Sequence, residues 1–139
     1  MAPATVRELA ASHGMRLPYS LTDDVGNTYD VEDERGWFRF QRTYDAARNC
    51  VRGEADMRRI VREAALADGA EGSRWLELQV DPTTYAPFVG GITPALEIVL
   101  DEAGAVSELP GAAQVGIMVA ASRMRHPLEA RTLARLAAR

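Results

Sequence analysis

The chain has 139 residues, 47% apolar and 26% charged, the size and make-up of one globular domain rather than a disordered tail. Twenty acids against 16 bases give a formal charge of −4, and the bases are spread among the acids, which argues against a surface built to neutralise nucleic-acid phosphates. The lone cysteine, Cys50, excludes an intrachain disulfide framework and fits a reducing, cytoplasmic setting; no apolar run is long enough for a membrane span, and the first five residues lack the basic and apolar regions of a secretory signal.

In chain order, the first predicted element is a helix over 4–13. Pro3 suits its start, Gly14 suits the residue past its end, and Val6, Leu9 and Ala10 give it an apolar face. Residues 19–35 carry Asp23, Asp24, Asp30, Glu32, Asp33 and Glu34 around Gly26-Asn27 and read as a polar connection. A calcium loop would use such carboxylates, but the spacing does not match an EF-hand, so a solvated acidic loop is expected. A helix over 36–50 follows, with Trp37, Phe38, Phe40 and Tyr44 crowded into its first half. After Arg52-Gly53 comes a long helix over 54–69, striped by Met57, Ile60, Val61, Ala64, Ala65 and Leu66.

Residues 73–80 alternate Leu76, Leu78, Val80 against Trp75, Glu77, Gln79 and stop at Asp81-Pro82, which predicts a strand. A loop with Tyr85, Pro87, Phe88 and Gly90-Gly91 leads to a helix over 93–103, with Thr93 as expected N-cap and Pro94 at the first position. Residues 115–121 are almost wholly apolar, as in a strand buried on both faces. Pro127 opens the last helix, with Leu128, Leu133 and Leu136.

The last four elements make a βαβα unit with a crossover long enough for parallel strands. Two parallel strands alone are a poor layer, because parallel sheets are normally covered on both faces and flanked at both edges. The fold class is therefore α/β: a partial (β/α)₈ barrel, two parallel strands with surrounding helices. A whole barrel takes about 250 residues. The expected organisation is one partial segment over 1–139, with a helical region over 1–72 and the βαβα unit over 73–139.

At this point the chain resembles the adenosine deaminase family of metal-dependent amidohydrolase barrels. Ala2-Pro-Ala-Thr-Val-Arg-Glu-Leu-Ala10 is similar to the family's Arg-Pro-Ala-Thr-Val-x-Glu-Leu-Ala helix start. Phe40-Gln-Arg-Thr-Tyr-Asp45 is similar to its Phe-x-x-x-Phe/Tyr-Asp pattern. Ile60-Val-Arg-Glu-Ala through Gly69, then Gly72-Ser-Arg-Trp-Leu-Glu-Leu-Gln-Val-Asp-Pro82, is similar to a long helix followed by Glu-Gly-Val-x-Tyr-x-Glu-x-Arg-x-x-Pro. Arg123-Met-Arg-His-Pro127 is similar to Arg-x-x-Arg-His-Pro after a strand. Each piece is weak alone; four in order along the chain are hard to obtain by chance.

The resemblance implies an enzyme that hydrolyses the 6-amino group of adenosine to give inosine. It implies one zinc held by His-x-His on the first strand, a His on a middle strand and a late Asp, with a Glu from His-Ala-Gly-Glu protonating the ring. None of these motifs is in the sequence: the family's first strand would precede Met1 and the others would follow Arg139. The only nitrogen or sulfur ligands available are His13, Cys50 and His126, at no metal-site spacing. No zinc and no catalytic residue is therefore expected of this chain alone; the complete enzyme would bind zinc and a purine nucleoside.

The resemblance makes Phe40 and Tyr44 the lid over the nucleoside; without it, aromatics at i, i+4 would be read as core packing. Trp37 and Phe38 are expected to pack. Asp81 and Met124, at the C-terminal ends of the two strands, are expected near the pocket mouth. Glu77 and Gln79 would face either the barrel lumen or water. His126 is expected to be structural, His13 to sit at a helix end where positive charge suits the dipole, and Cys50 to be a small buried apolar group. The functional expectation is an adenosine-deaminase-like segment that is inactive alone and completed by a further barrel part. The alternative is a non-catalytic, self-associating protein using open strand edges. No nucleic-acid or membrane partner is expected.

Overall fold

The computed structural model describes residues 1–22 and 34–138. The acidic stretch weighed as a calcium loop lies largely outside them, at 23–33. The chain forms two units, Met1–Arg52 and Gly53–Arg139. The long helix before the strands is grouped with the second, ahead of the division expected at residue 72.

The first unit holds helices α1 (Pro3–Ser12), α2 (Tyr19–Thr22) and α3 (Glu34–Arg48). Pro3 starts α1 without needing the N–H it lacks, and Thr5, Val6, Leu9 and Ala10 are buried. His13 caps the end of α1, and Gly14 takes a φ of +62°, the left-handed turn that favours glycine. The short α2 lies in what the sequence suggested was continuous connection; its Ser20 hydroxyl and the Thr43 hydroxyl of α3 share a hydrogen bond of 3.0 Å.

Cys50 is fully buried, as expected of a small apolar group, and its thiol donates to the Ala46 carbonyl at 3.3 Å. Burial pushes the thiol pKa up, and the Arg52 charge offsets this in part. A folded-state pKa above the unfolded one leaves stability intact below the ordinary thiol value. Stability then falls as the pH rises through the window up to the folded value, because the unfolded chain ionises first. Urea unfolding of the parent and of Cys50→Ala across alkaline pH is expected to show this extra loss only in the parent, and native Cys50 is expected to resist thiol reagents at neutral pH.

The second unit holds α4 (Glu54–Ala70), β1 (Trp75–Val80), a 3₁₀ turn (Pro82–Thr84), α5 (Ala86–Val89), α6 (Ile92–Ser107), β2 (Gln114–Val119) and α7 (Pro127–Ala137). The strands run parallel with Trp75 opposite Gln114 and Val80 opposite Val119. The ladder continues past both ends through Gln114 N–H to Arg74 O at 3.0 Å and Ala120 N–H to Val80 O at 2.8 Å. Helix α6 is the hub, packing on both α4 and β2. Its buried Ala95, Leu96, Val99, Ala103 and Val106 follow the helical period; each Val or Leu withdrawn from water contributes about 1.5–3 kcal/mol. Ser107 ties α6 to β2, accepting from Val115 N–H at 2.9 Å while donating to Ala103 O at 2.6 Å.

Ion pairs reinforce α4 on α6. Arg62 Nε donates to Glu102 Oε1 at 2.6 Å, and Arg58 reaches Glu54 at 2.8 Å and Asp101 at 2.5 Å. Hydrogen bonds to Asp101 and Glu54 hold the Arg58 guanidinium above its usual range.

Three expectations need correction. Helix α6 begins at Ile92, capped by Gly91 rather than Thr93, with no side-chain cap bond. The reason is Gly91's φ of 145°, a conformation only glycine takes readily, which lets the helix start two residues early. Residues 82–89 are not a plain loop: Pro82 and Pro87 each preset φ for a short helical turn. Lastly, β2 is not buried on both faces, since Met118 is 50% exposed. Helix covers one face of the sheet; no described helix of the second unit covers the other.

Candidate functional site

The register sorts the strand residues onto two faces. Leu76, Leu78 and Val80 with Val115, Ile117 and Val119 are all partly buried, the face that α6 covers. Trp75, Glu77 and Gln79 with Gln114 and Met118 are exposed, and Gly116 lies among them. The Trp75 ring occupies the space beside Gly116: a Cβ built on Gly116 would stand 2.7 Å from its Cζ2. In a (β/α) barrel the helices lie outside, so the helix-free face is the lumen side. Glu77 and Gln79 are therefore on the lumen face, the first of the two placements open from sequence.

Barrel enzymes place function at the C-terminal ends of the strands. Asp81 follows β1 there, and its Oδ1 accepts from Thr83 N–H at 3.0 Å and Thr83 Oγ1–H at 2.5 Å, capping the 3₁₀ turn. Met124 sits in the turn after β2 and is 88% exposed. A groove of about 360 Å³ opens nearby, lined by Thr83, Ile92, Arg125, Leu128, Glu129, Thr132 and Leu133. Asp81 and Met124 are neighbours of its wall in sequence but do not line it. Within that lining, Arg125 pairs with Glu129 four residues on at 3.3 Å. A larger groove of about 530 Å³ is lined by residues of α4, α5 and α6, among them Glu54, Arg58, Phe88, Glu97 and Asp101.

His126 has a structural role, as expected, and a specific one: its Nδ1 accepts from Leu128 N–H at 3.2 Å, capping α7 ahead of Pro127. The sequence signal was His-Pro at a helix start, read only for the proline.

Phe40 and Tyr44 share one face of α3, with ring centroids 6.3 Å apart and planes 25° from parallel. Trp37 extends the row, 5.6 Å from Phe40, and the Arg48 guanidinium lies over Tyr44 at 5.7 Å. Phe40 and Tyr44 are 41% and 51% exposed, so they form a surface stripe and not core. Trp37 and Phe38 depart from the packing expected of them, being 61% and 65% exposed.

Zinc, which the resemblance implies, needs several His, Cys or carboxylate ligands converging on one point. Among the described residues no group of three His, Cys, Asp or Glu side chains could hold a metal ion. Cys50 is buried with its thiol bonded to the Ala46 carbonyl of α3, and His126 spends Nδ1 on a cap. The donor set of the described residues does not fit a zinc centre.

A parallel βαβα unit with helices on one sheet face and a free lumen face defines a segment of an α/β barrel. The structure is similar to that of an adenine deaminase from Arthrobacter aurescens, with a TM-score of 0.69 at 21% identity over 98% of this chain and 41% of that one. The sequence model of the family described as adenosine deaminase matches residues 1–139. The chain belongs to the adenosine deaminase family. It is 56% identical over its whole length to a protein of Streptomyces virginiae named "Putative adenosine/adenine deaminase", and 54% identical over 143 aligned residues to one of the same name from Streptomyces coelicolor. It spans 41% of the length of each. No helix among the described residues is long and apolar enough to cross a membrane.

Proposed function

We propose that this chain forms part of the wall and lid of a zinc-dependent deaminase acting on adenosine or adenine, and that it has no deaminase activity alone. The observation that carries this reading is the free lumen face of β1 and β2, set in a chain that is alike along its whole length to proteins more than twice as long. Hydrolysis of a 6-amino group calls for a metal-activated water and a proton donor to the ring. Among the described residues no group of His, Cys, Asp or Glu side chains could hold that metal, and this reading assigns the metal and the proton donor to the rest of a longer barrel. Phe40 and Tyr44 keep the lid role implied by the resemblance. The alternative, self-association, draws on the exposure of Trp75 and Met118 on the open sheet face.

The direct test is exchange. This chain replaces the matching 41% of the Streptomyces virginiae protein, and zinc content and ammonia release from adenosine and adenine are measured. The hybrid is expected to hold zinc and turn over one purine within about tenfold of the parent rate, a loss of about 1.4 kcal/mol of transition-state stabilisation. The isolated chain is expected to release none. A folded, zinc-loaded hybrid without turnover, beside an active parent, rejects the reading; turnover by the isolated chain rejects its second half.

A further inference from the structure

We propose that Gln79 and Met118 are the substrate-discriminating pair of this barrel wall, the Gln79 amide reading the polar edge of the purine and the Met118 thioether lying against its ring. The inference rests on the deaminase reading above and goes beyond it by naming the groups that choose among purines.

Gln79 and Met118 are register partners, side by side across β1 and β2. Both lie on the helix-free face, and both are exposed. That face runs in layers from the N-terminal end: Trp75 with Gln114, Glu77 with Gly116, Gln79 with Met118. Asp81 and Ala120 follow, next to the Ala120 N–H to Val80 O bond that extends the ladder. The Trp75 ring over Gly116 fills the lower layers. Ligands reach a barrel from the C-terminal end, so the upper two layers meet them.

Chemistry then separates those two layers. Asp81 is tied to Thr83 through both the backbone and the hydroxyl, and Ala120 offers only a methyl group. Gln79 is the nearest polar side chain below them on this face, and its amide has no hydrogen-bond partner among the described residues. A primary amide presents two donors and an acceptor in one plane, which matches the alternating ring nitrogens and amino or oxo groups at a purine edge. Met118 adds a flexible, polarizable contact for the ring face.

The experiment uses the hybrid enzyme. Gln79→Leu, Gln79→Arg and Met118→Ala are made in it, and kcat/KM is measured for adenine and adenosine, with zinc content and melting temperature as controls. Gln79→Leu is expected to change the ratio of the two kcat/KM values at least about tenfold, since a site built around a hydrogen bond discriminates strongly when it is lost. Gln79→Arg is expected to move the ratio differently from Gln79→Leu, and Met118→Ala to lower both values, chiefly through KM. Folded, zinc-loaded Gln79 variants with an unchanged ratio overturn the proposal, even if both rates fall, because a merely structural residue would lower both alike. If Gln79→Leu does not fold, the near-isosteric Gln79→Glu takes its place under the same criterion. An inactive, zinc-loaded parent hybrid overturns the deaminase reading and this proposal with it; an active hybrid with an insensitive ratio overturns this proposal alone.

Discussion

Gly69→Ala is expected to destabilise the second unit by about 2 kcal/mol or more, and Gly69→Val to prevent its folding. Gly69 lies in the last turn of α4, where alanine would ordinarily stabilise a helix by about 1 kcal/mol. Here the segment before β2 presses on that turn. A Cβ on Gly69 would collide with the Gly111 carbonyl oxygen and come within 2.8 Å of Ala113 N and 2.9 Å of Ala112 C. All three are backbone atoms, so no side-chain rotation relieves the overlap. The approach is also fixed from the other side, because Ala113 N–H donates to Ala65 O at 2.9 Å. Admitting a methyl group means breaking that bond or shifting the start of β2, and forcing excess volume into a packed site costs about 1–3 kcal/mol or more. Thermal and urea unfolding decide the matter by sign. A fall in melting temperature of about 5 °C or more is expected, whereas an Ala variant more stable than the parent would show that the helix and the loop are not in close contact.

Glu102→Ala is expected to cost about 2–3 kcal/mol, far more than Asp101→Ala beside it. Glu102 is 2% exposed, yet it carries a carboxylate held by Arg62 Nε at 2.6 Å, with Arg58 Nη1 at 3.6 Å. Deleting it leaves a void between α4 and α6 and takes the anion from two arginines. Both arginines are partly exposed, Arg62 by about half and Arg58 by about a third, and regain water, so the loss stays below the 3–5 kcal/mol seen for fully buried pairs. Asp101 bonds the same Arg58 but its side chain is 69% exposed, and an exposed ion pair contributes at most about 1 kcal/mol. Glu102→Gln, which keeps the shape and one acceptor, is expected to fall between them. Urea midpoints at constant slope rank the three; equal losses for Glu102→Ala and Asp101→Ala would mean that burial does not govern this cluster.

The sequence made the order of elements in the second unit legible because each element carried a local signal. The stripe from Met57 to Leu66 has the helical period, residues 75–80 alternate, and Pro127 opens the last helix. Boundaries were less legible where backbone geometry overrides side-chain preference. Thr93-Pro94 is a good cap sequence, but Gly91 can take a φ closed to other residues and starts α6 earlier. The face of β2 could not be read from its composition, since an apolar strand may be covered on one side or two. Only the register with β1 shows that Met118 falls beside Gln79. Among candidate site residues, the i, i+4 spacing of Phe40 and Tyr44 does bring their rings together. Asp81 was singled out for its place at a strand end, while its bonds to Thr83 follow from the Asp-Pro-Thr order, a turn signal that can be recognised in advance.

The bare α-carbon at position 116 acts as a peg that fixes how the two strands align. Gly116 is the sole residue of β2 without a side chain, and the Trp75 indole needs that gap. A slide of β2 by two positions would keep every residue on its own face and so escape the usual penalty for slipped pairing. It would nonetheless thrust Gln114 or Met118 beneath the indole, which leaves a single admissible alignment, chosen by one missing methyl group.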